Sequence, residues 1–169
     1  MKYLISVLSI VSTTTLAHGP TPQKTDESIL VNLAPELVWK KLSEPCAIQQ
    51  WHPSVTACES TEQNKRVLTL KTGGKVYEEF DEVLASEMKI SYRLGANSDT
   101  KALPVSSLNG RISIQPEGAG SRVSWMARYY RVDTTNEPPK GMDDESARNA
   151  VNEYVKQGLA NLEVSPSKK

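Results

Sequence analysis

The residues best placed to do chemistry are a carboxylate and a guanidinium. Val76, Glu78 and Phe80 fall on one face of an alternating stretch, so Glu78 points the same way as two apolar neighbours. Arg66 shares a face with Leu68 and Leu70 on the stretch before it. A three-residue turn at 72–74 sets Leu68 opposite Glu78 and leaves Arg66 diagonal to it, within reach of a long side chain. An inward carboxylate and guanidinium can orient the polar head of a ligand or move a proton. The same two groups also suit an ion pair that serves structure alone, because burying either charge by itself is costly.

Other side chains carry two readings each. Trp39, Trp51, Tyr92, Trp125, Tyr129 and Tyr154 can wall a ligand or fill a core. Tyr92, Trp125, Tyr129 and Tyr154 are the stronger wall candidates, since they come from the sheet centre and the long helix together. His52, in Trp51-His52-Pro53, has the natural pKa of a general base. No serine, cysteine and acid constellation accompanies it, which favours a structural role at a helix end. Cys46 and Cys58, twelve residues apart, either form a disulfide or remain two small buried side chains. His18, if it becomes the N-terminal residue, offers an amine and an imidazole to copper, although a firm site needs further ligands. Two cysteines and two histidines are too few for an ordinary zinc site. There is no phosphate loop or nucleophile elbow, and neither a metal nor another cofactor is expected.

The whole chain narrows the function further. Its 169 residues suit one domain. Lysine plus arginine number 20, and so do aspartate plus glutamate, so the net charge is zero. That opposes nucleic-acid binding, which asks for a basic excess on one face. No apolar run approaches the roughly 20 residues of a membrane span. Residues 1–17 read as a secretory signal: Lys2, an apolar stretch from Tyr3 to Val11, and Thr15-Leu16-Ala17 before a cut at His18. The expected product is periplasmic or secreted, with one domain over residues 18–163 and a frayed tail at 164–169.

The elements that must position these groups follow from periodicity. Residues 24–32 alternate as a first strand. Ala34-Pro35-Glu36 opens a short helix with Val38, Trp39 and Leu42 on its buried side. A second short helix is predicted from Cys46 to Trp51. Strands follow at 55–59, 66–70, from 76, at 89–94, from 108 and up to 129. Asp143 is a helix N-cap, and Ala147, Ala150, Val151, Tyr154, Val155, Gly158, Leu159 and Leu162 form one continuous stripe on a long helix. The fold class is α+β, a helix grip: a curved antiparallel sheet of about seven strands, two short helices after the first strand, and a long C-terminal helix closing the concave face. Such a grip leaves a cavity wherever side chains fail to fill it.

With Ala34-Pro35-Glu36-x-Val38-Trp39 and Trp51-His52-Pro53 in these places, the chain resembles the START-like superfamily, the Bet v 1-like (SRPBCC) or polyketide cyclase/dehydrase group. More narrowly it resembles the MxaD-like periplasmic branch. The residues that carry this are Gly19-Pro20-Thr21-Pro22-Gln23-Lys24, Arg66-x-Leu68-x-Leu70, Gly73-Gly74-x-Val76-x-Glu78, Tyr129-Tyr130-Arg131, Asn136-Glu137-Pro138-Pro139, Asp143-Asp144-Glu145 and Gly158-Leu159-x-Asn161-Leu162. One departure is Leu108, where relatives often carry a tyrosine hydroxyl. The superfamily hosts lipid carriers, cyclases, hormone receptors and accessory proteins alike. The branch implies help for a periplasmic quinoprotein (methanol-type) dehydrogenase in passing electrons to its cytochrome c.

The expected function is a non-catalytic accessory or small hydrophobic-ligand-binding protein. Its cavity candidates are Arg66, Glu78, Phe80, Tyr92, Trp125, Tyr129 and Tyr154. The alternatives are a cyclase or dehydratase using Glu78, and an interaction module with a solid core. Expected partners are a small apolar molecule and a dehydrogenase or cytochrome c.

Overall fold

A computed structural model describes residues 19–162. The leader at 1–17, His18 and the tail at 164–169 lie outside these. The elements run β1 (Gln23–Val31), α1 (Pro35–Ser43), α2 (Ile48–Trp51), β2 (Val55–Glu62), β3 (Lys65–Leu70), β4 (Lys75–Leu84), β5 (Lys89–Leu94), β6 (Val105–Glu117), β7 (Gly120–Arg131) and α3 (Asp144–Asn161). The seven strands form one sheet in the order β1-β7-β6-β5-β4-β3-β2, every pair antiparallel. Because β1 pairs with the last strand, β1 and β2 end up on opposite edges, and the segment carrying α1 and α2 spans the distance between them.

Local chemistry explains the boundaries. Pro35 starts α1, where its missing N–H costs nothing, and Glu44, extended ahead of Pro45, ends it. Asp143 caps α3 by accepting the Ser146 N–H at 2.7 Å. Ala147, Val151, Val155, Gly158 and Leu159 are buried along α3, facing Val123, Trp125 and Ala127 in the core. Strand β2 runs on to Glu62, beyond the expected 55–59. Its second half is polar and exposed, so apolar alternation does not mark it, and the ladder to β3 holds it.

Two features bear on the site. The structure joins Cys46 to Cys58 by a disulfide, with Cα atoms 5.4 Å apart, which ties the α1–α2 turn to the edge strand β2. Beside it, the Gln49 side chain accepts from Cys58 N and donates to Thr56 O, covering part of an edge that would otherwise offer unpaired backbone groups. The β3–β4 register also differs from the expected one. Arg66 lies directly opposite Glu78, and Leu68 opposite Val76. Leu70 gives its N–H to Gly74 O and takes that of Gly73, while Lys71 bonds outward to Ser54 O, so the three-residue turn is 71–73 and not 72–74, with Gly73 at φ +90°, a region that glycine enters freely. The two charges that sequence spacing places diagonally are therefore direct cross-strand neighbours.

Candidate functional site

Strand alternation turns both members of the charged pair inward, where Arg66 is 6% exposed and Glu78 is 3%. Arg66 donates from Nε at 2.7 Å and from Nη2 at 2.6 Å, and both bonds fall on Glu78 Oε2. Its Nη1 donates to the Pro45 carbonyl, and the Phe80 ring lies 4.9 Å from Cζ, a cation–π distance. The guanidinium is thus committed on three sides. Oε1 is the carboxylate oxygen left to accept a further bond.

Tyr92 and Tyr154 approach from opposite layers. Tyr92, on β5, faces Gly110 on β6. A Cβ at Gly110 would sit 2.2 Å from the Tyr92 ring, so glycine is what lets the ring lie across the neighbouring strand. The Tyr92 hydroxyl accepts from Trp125 Nε1 at 2.9 Å. Tyr154 descends from α3, and its hydroxyl is buried with no hydrogen-bond partner. Burial, with Glu78 as the next cause, raises the Tyr154 hydroxyl well above the usual tyrosine range, and Tyr92 is raised by the same causes. Both phenols therefore keep their protons.

Glu78, Tyr92 and Tyr154 line a cavity together with aliphatic side chains that include Leu70, Val76, Leu103 and Leu108. Its volume is about 10 Å³, room for roughly one water. Leu108, in place of a hydroxyl, makes that wall apolar. Sequence alternation had not singled out Leu103, which comes from the irregular segment between β5 and β6 and so has no period to reveal it.

The other candidates are placed elsewhere. Arg66 and Phe80 stand behind Glu78, outside the lining. Trp125 packs edge-on against Trp51, His52 and Tyr154, with ring centroids 6.1, 6.0 and 5.6 Å away. Gly158 makes this packing possible, because a Cβ there would fall 2.7 Å from both His52 and Trp125. The Tyr129 hydroxyl turns to Thr25 Oγ1 at 3.0 Å, and Thr25 donates on to Asn152 Oδ1 at 2.6 Å. That chain stitches β7, β1 and α3. Arg131, named in the sequence only within Tyr129-Tyr130-Arg131 and given no role there, is 6% exposed. It holds Asp144 at 2.8 Å and the carbonyls of Asp133 and Thr135, which fastens the loop ahead of α3.

His52 is fully engaged. Its Nε2–H donates to Tyr154 O at 3.0 Å, Nδ1 accepts from Ser54 N at 3.2 Å, and the ring stacks on Tyr154 with centroids 4.1 Å apart. Burial pushes its pKa down to about 4. It is neutral at pH 7, with both nitrogens occupied and neither free to take a substrate proton. Above pH 6.5 this contributes nothing to the pH dependence of stability. As pH falls from 6.5 to about 4, the unfolded chain takes up a proton that the fold refuses, and stability drops by about 3 kcal/mol. Below that window both states are charged and the loss stops growing. Urea denaturation at pH 7 and pH 4.5 should therefore show a steeper loss for the wild type than for His52→Gln. Equal losses would remove His52 from the account.

Among the described residues no group of three or more His, Cys, Asp and Glu side chains gathers as a metal site. No helix there is long and apolar enough to cross a membrane.

Residues 22–164 match the model of the family described as polyketide cyclase / dehydrase and lipid transport. No curated protein matches the chain. Among solved structures, the protein XoxI from Bacillus cereus is 21% identical with a TM-score of 0.71, over 83% of this chain and 93% of that one. The Zhui aromatase/cyclase from Streptomyces sp. R1128 is 14% identical with a TM-score of 0.64, over 84% and 92%. A START superfamily protein from Mycobacterium smegmatis is 17% identical with a TM-score of 0.62, over 83% and 97%. At these identities the likeness establishes the fold.

Proposed function

Because the chain belongs to the polyketide cyclase / dehydrase and lipid transport family, a START-like, Bet v 1-like helix grip, we propose that it is an exported, non-catalytic protein that binds a small, largely apolar molecule. The observation that carries this is the unpartnered Tyr154 hydroxyl, buried in the wall of an otherwise aliphatic cavity. A lone buried polar group costs free energy until something bonds to it, and an apolar pocket with few polar groups is the ordinary form of a ligand site. At about 10 Å³ the cavity admits a guest only if its wall yields. Apart from Tyr154 and Val155 on α3, the irregular segment between β5 and β6, which carries Leu103, is the part of that wall outside the strand ladders.

Export is supported by the reading of residues 1–17 and by the Cys46–Cys58 bridge, since disulfides persist in oxidising compartments. We place the mature protein in the periplasm, or outside the cell. The MxaD-like stretches support an accessory role beside a quinoprotein dehydrogenase and its cytochrome c. The non-catalytic reading is supported by the pairing of Glu78 with Arg66 and by the use of both His52 nitrogens within the fold.

Native mass spectrometry of the protein purified gently from its own source is the test. A stoichiometric added mass is the expected result, on a chain that begins at His18 and lacks two hydrogens at Cys46 and Cys58. A bare mass overturns the carrier reading and moves the protein to an interaction module. A chain that retains residues 1–17 overturns export.

A further inference from the structure

Charge and hydrogen-bond bookkeeping around the cavity narrows the guest. The cation next to it already has its counter-ion: Arg66 gives two N–H groups to Glu78 Oε2 and a third to Pro45 O, and Phe80 covers it. A carboxylate or phosphate guest would meet a Glu78 oxygen and no free cation. An ammonium guest would bring a second positive charge to a carboxylate that Arg66 already balances. Burying either one uncompensated is costly. What the cavity offers is complementary to a neutral group that both gives and takes a hydrogen bond, because Glu78 Oε1 can only accept and the unpartnered Tyr154 hydroxyl can donate. The remaining wall is aliphatic, with Leu70, Leu94, Leu103 and Leu108.

Building on the binding reading above, we propose that the guest is an uncharged alcohol or phenol, whose O–H donates to Glu78 Oε1 and whose oxygen accepts from the Tyr154 hydroxyl. Fatty acids, phosphorylated head groups and amines are then disfavoured by the protein's own charge arrangement, even where the wall yields to admit an alcohol of the same length. Water meets the same demands at the volume of the closed cavity and is the natural occupant between guests.

Three probes of equal chain length separate the possibilities: 1-heptanol, heptanoate and heptylamine, each titrated into the mature protein at pH 7.5 and followed by backbone amide NMR shifts. The expected result is saturable binding of heptanol, with shifts gathered around Glu78, Leu103 and Tyr154, at least a hundredfold tighter than either charged probe. Heptanoate or heptylamine binding as well as heptanol overturns the alcohol assignment and leaves the binding cavity standing. Failure of all three overturns both. Tyr154→Phe removes a hydroxyl that bonds to no other protein group among the described residues, so it should change the melting temperature little. It should weaken heptanol roughly two- to tenfold, and an unchanged affinity removes Tyr154 from the site. Glu78→Gln frees the guanidinium and should shift preference toward heptanoate. Should that variant fail to fold, the Tyr154→Phe result still decides the matter.

Discussion

Replacing Arg66 with methionine should destabilise the protein by about 3–5 kcal/mol, the range for breaking a buried pair and stranding one charge. Glu78, 3% exposed, would keep its carboxylate inside with neither of its two Arg66 bonds, and the Pro45 carbonyl would lose the donor it takes from Nη1. The informative partner is the double replacement, Arg66→Met with Glu78→Leu. Removing both charges at once removes both desolvation costs, so the double variant should lie well above the single one, within about 2 kcal/mol of the wild type. Urea denaturation at pH 7 reads all three. A loss below about 1 kcal/mol for Arg66→Met would mean that water reaches the pair. A double variant as unstable as the single one would mean that the pair is needed for shape as well as for charge balance.

The same pair shows what could be read from the amino-acid order and what could not. Alternation is local, so it correctly turns Val76, Glu78 and Phe80 to one side, as it does Tyr92 and Trp125. It also yields the stripe on α3, the cap at Asp143 and the succession of strands. Register is not fixed by alternation. The hairpin closes with the Leu70 N–H on Gly74 O and the Gly73 N–H on Leu70 O, one position earlier than a turn at 72–74. That one-residue shift of the turn converts a diagonal pair into a direct one.

Inward facing also does not say what a side-chain tip meets. Trp125 and Tyr154 share the interior, yet only Tyr154 borders the cavity. The Tyr129 hydroxyl ends on Thr25, 104 positions away in the chain. Leu103 and Arg131 escape for opposite reasons: Leu103 sits in irregular structure, and Arg131 is a charge at the end of an apolar alternation. The exposed half of β2 escapes because an edge strand made of polar residues has no period to show.

Loss of the disulfide is the second large effect, about 3 kcal/mol for a loop closed over the 12 positions between Cys46 and Cys58, or about 6–12 °C in melting temperature. Where the loss falls matters more than its size. Strand β2 has β3 on one side only. Its other side is steadied by Gln49 and by the bridge itself. In Cys46→Ser with Cys58→Ser, amide exchange should quicken first over 44–62, while β6 and β7, each paired on both sides, keep their protection.

The bridge also acts on the cavity wall from behind. Pro45 adjoins Cys46, and its carbonyl holds Arg66, which in turn holds Glu78 Oε2. Combining the serine pair with Arg66→Met should therefore cost less than the two losses added, with a coupling of about 0.5–3 kcal/mol. Strict additivity, or faster exchange spread evenly over the sheet, would show that the disulfide staples an edge and has no hand in placing the carboxylate.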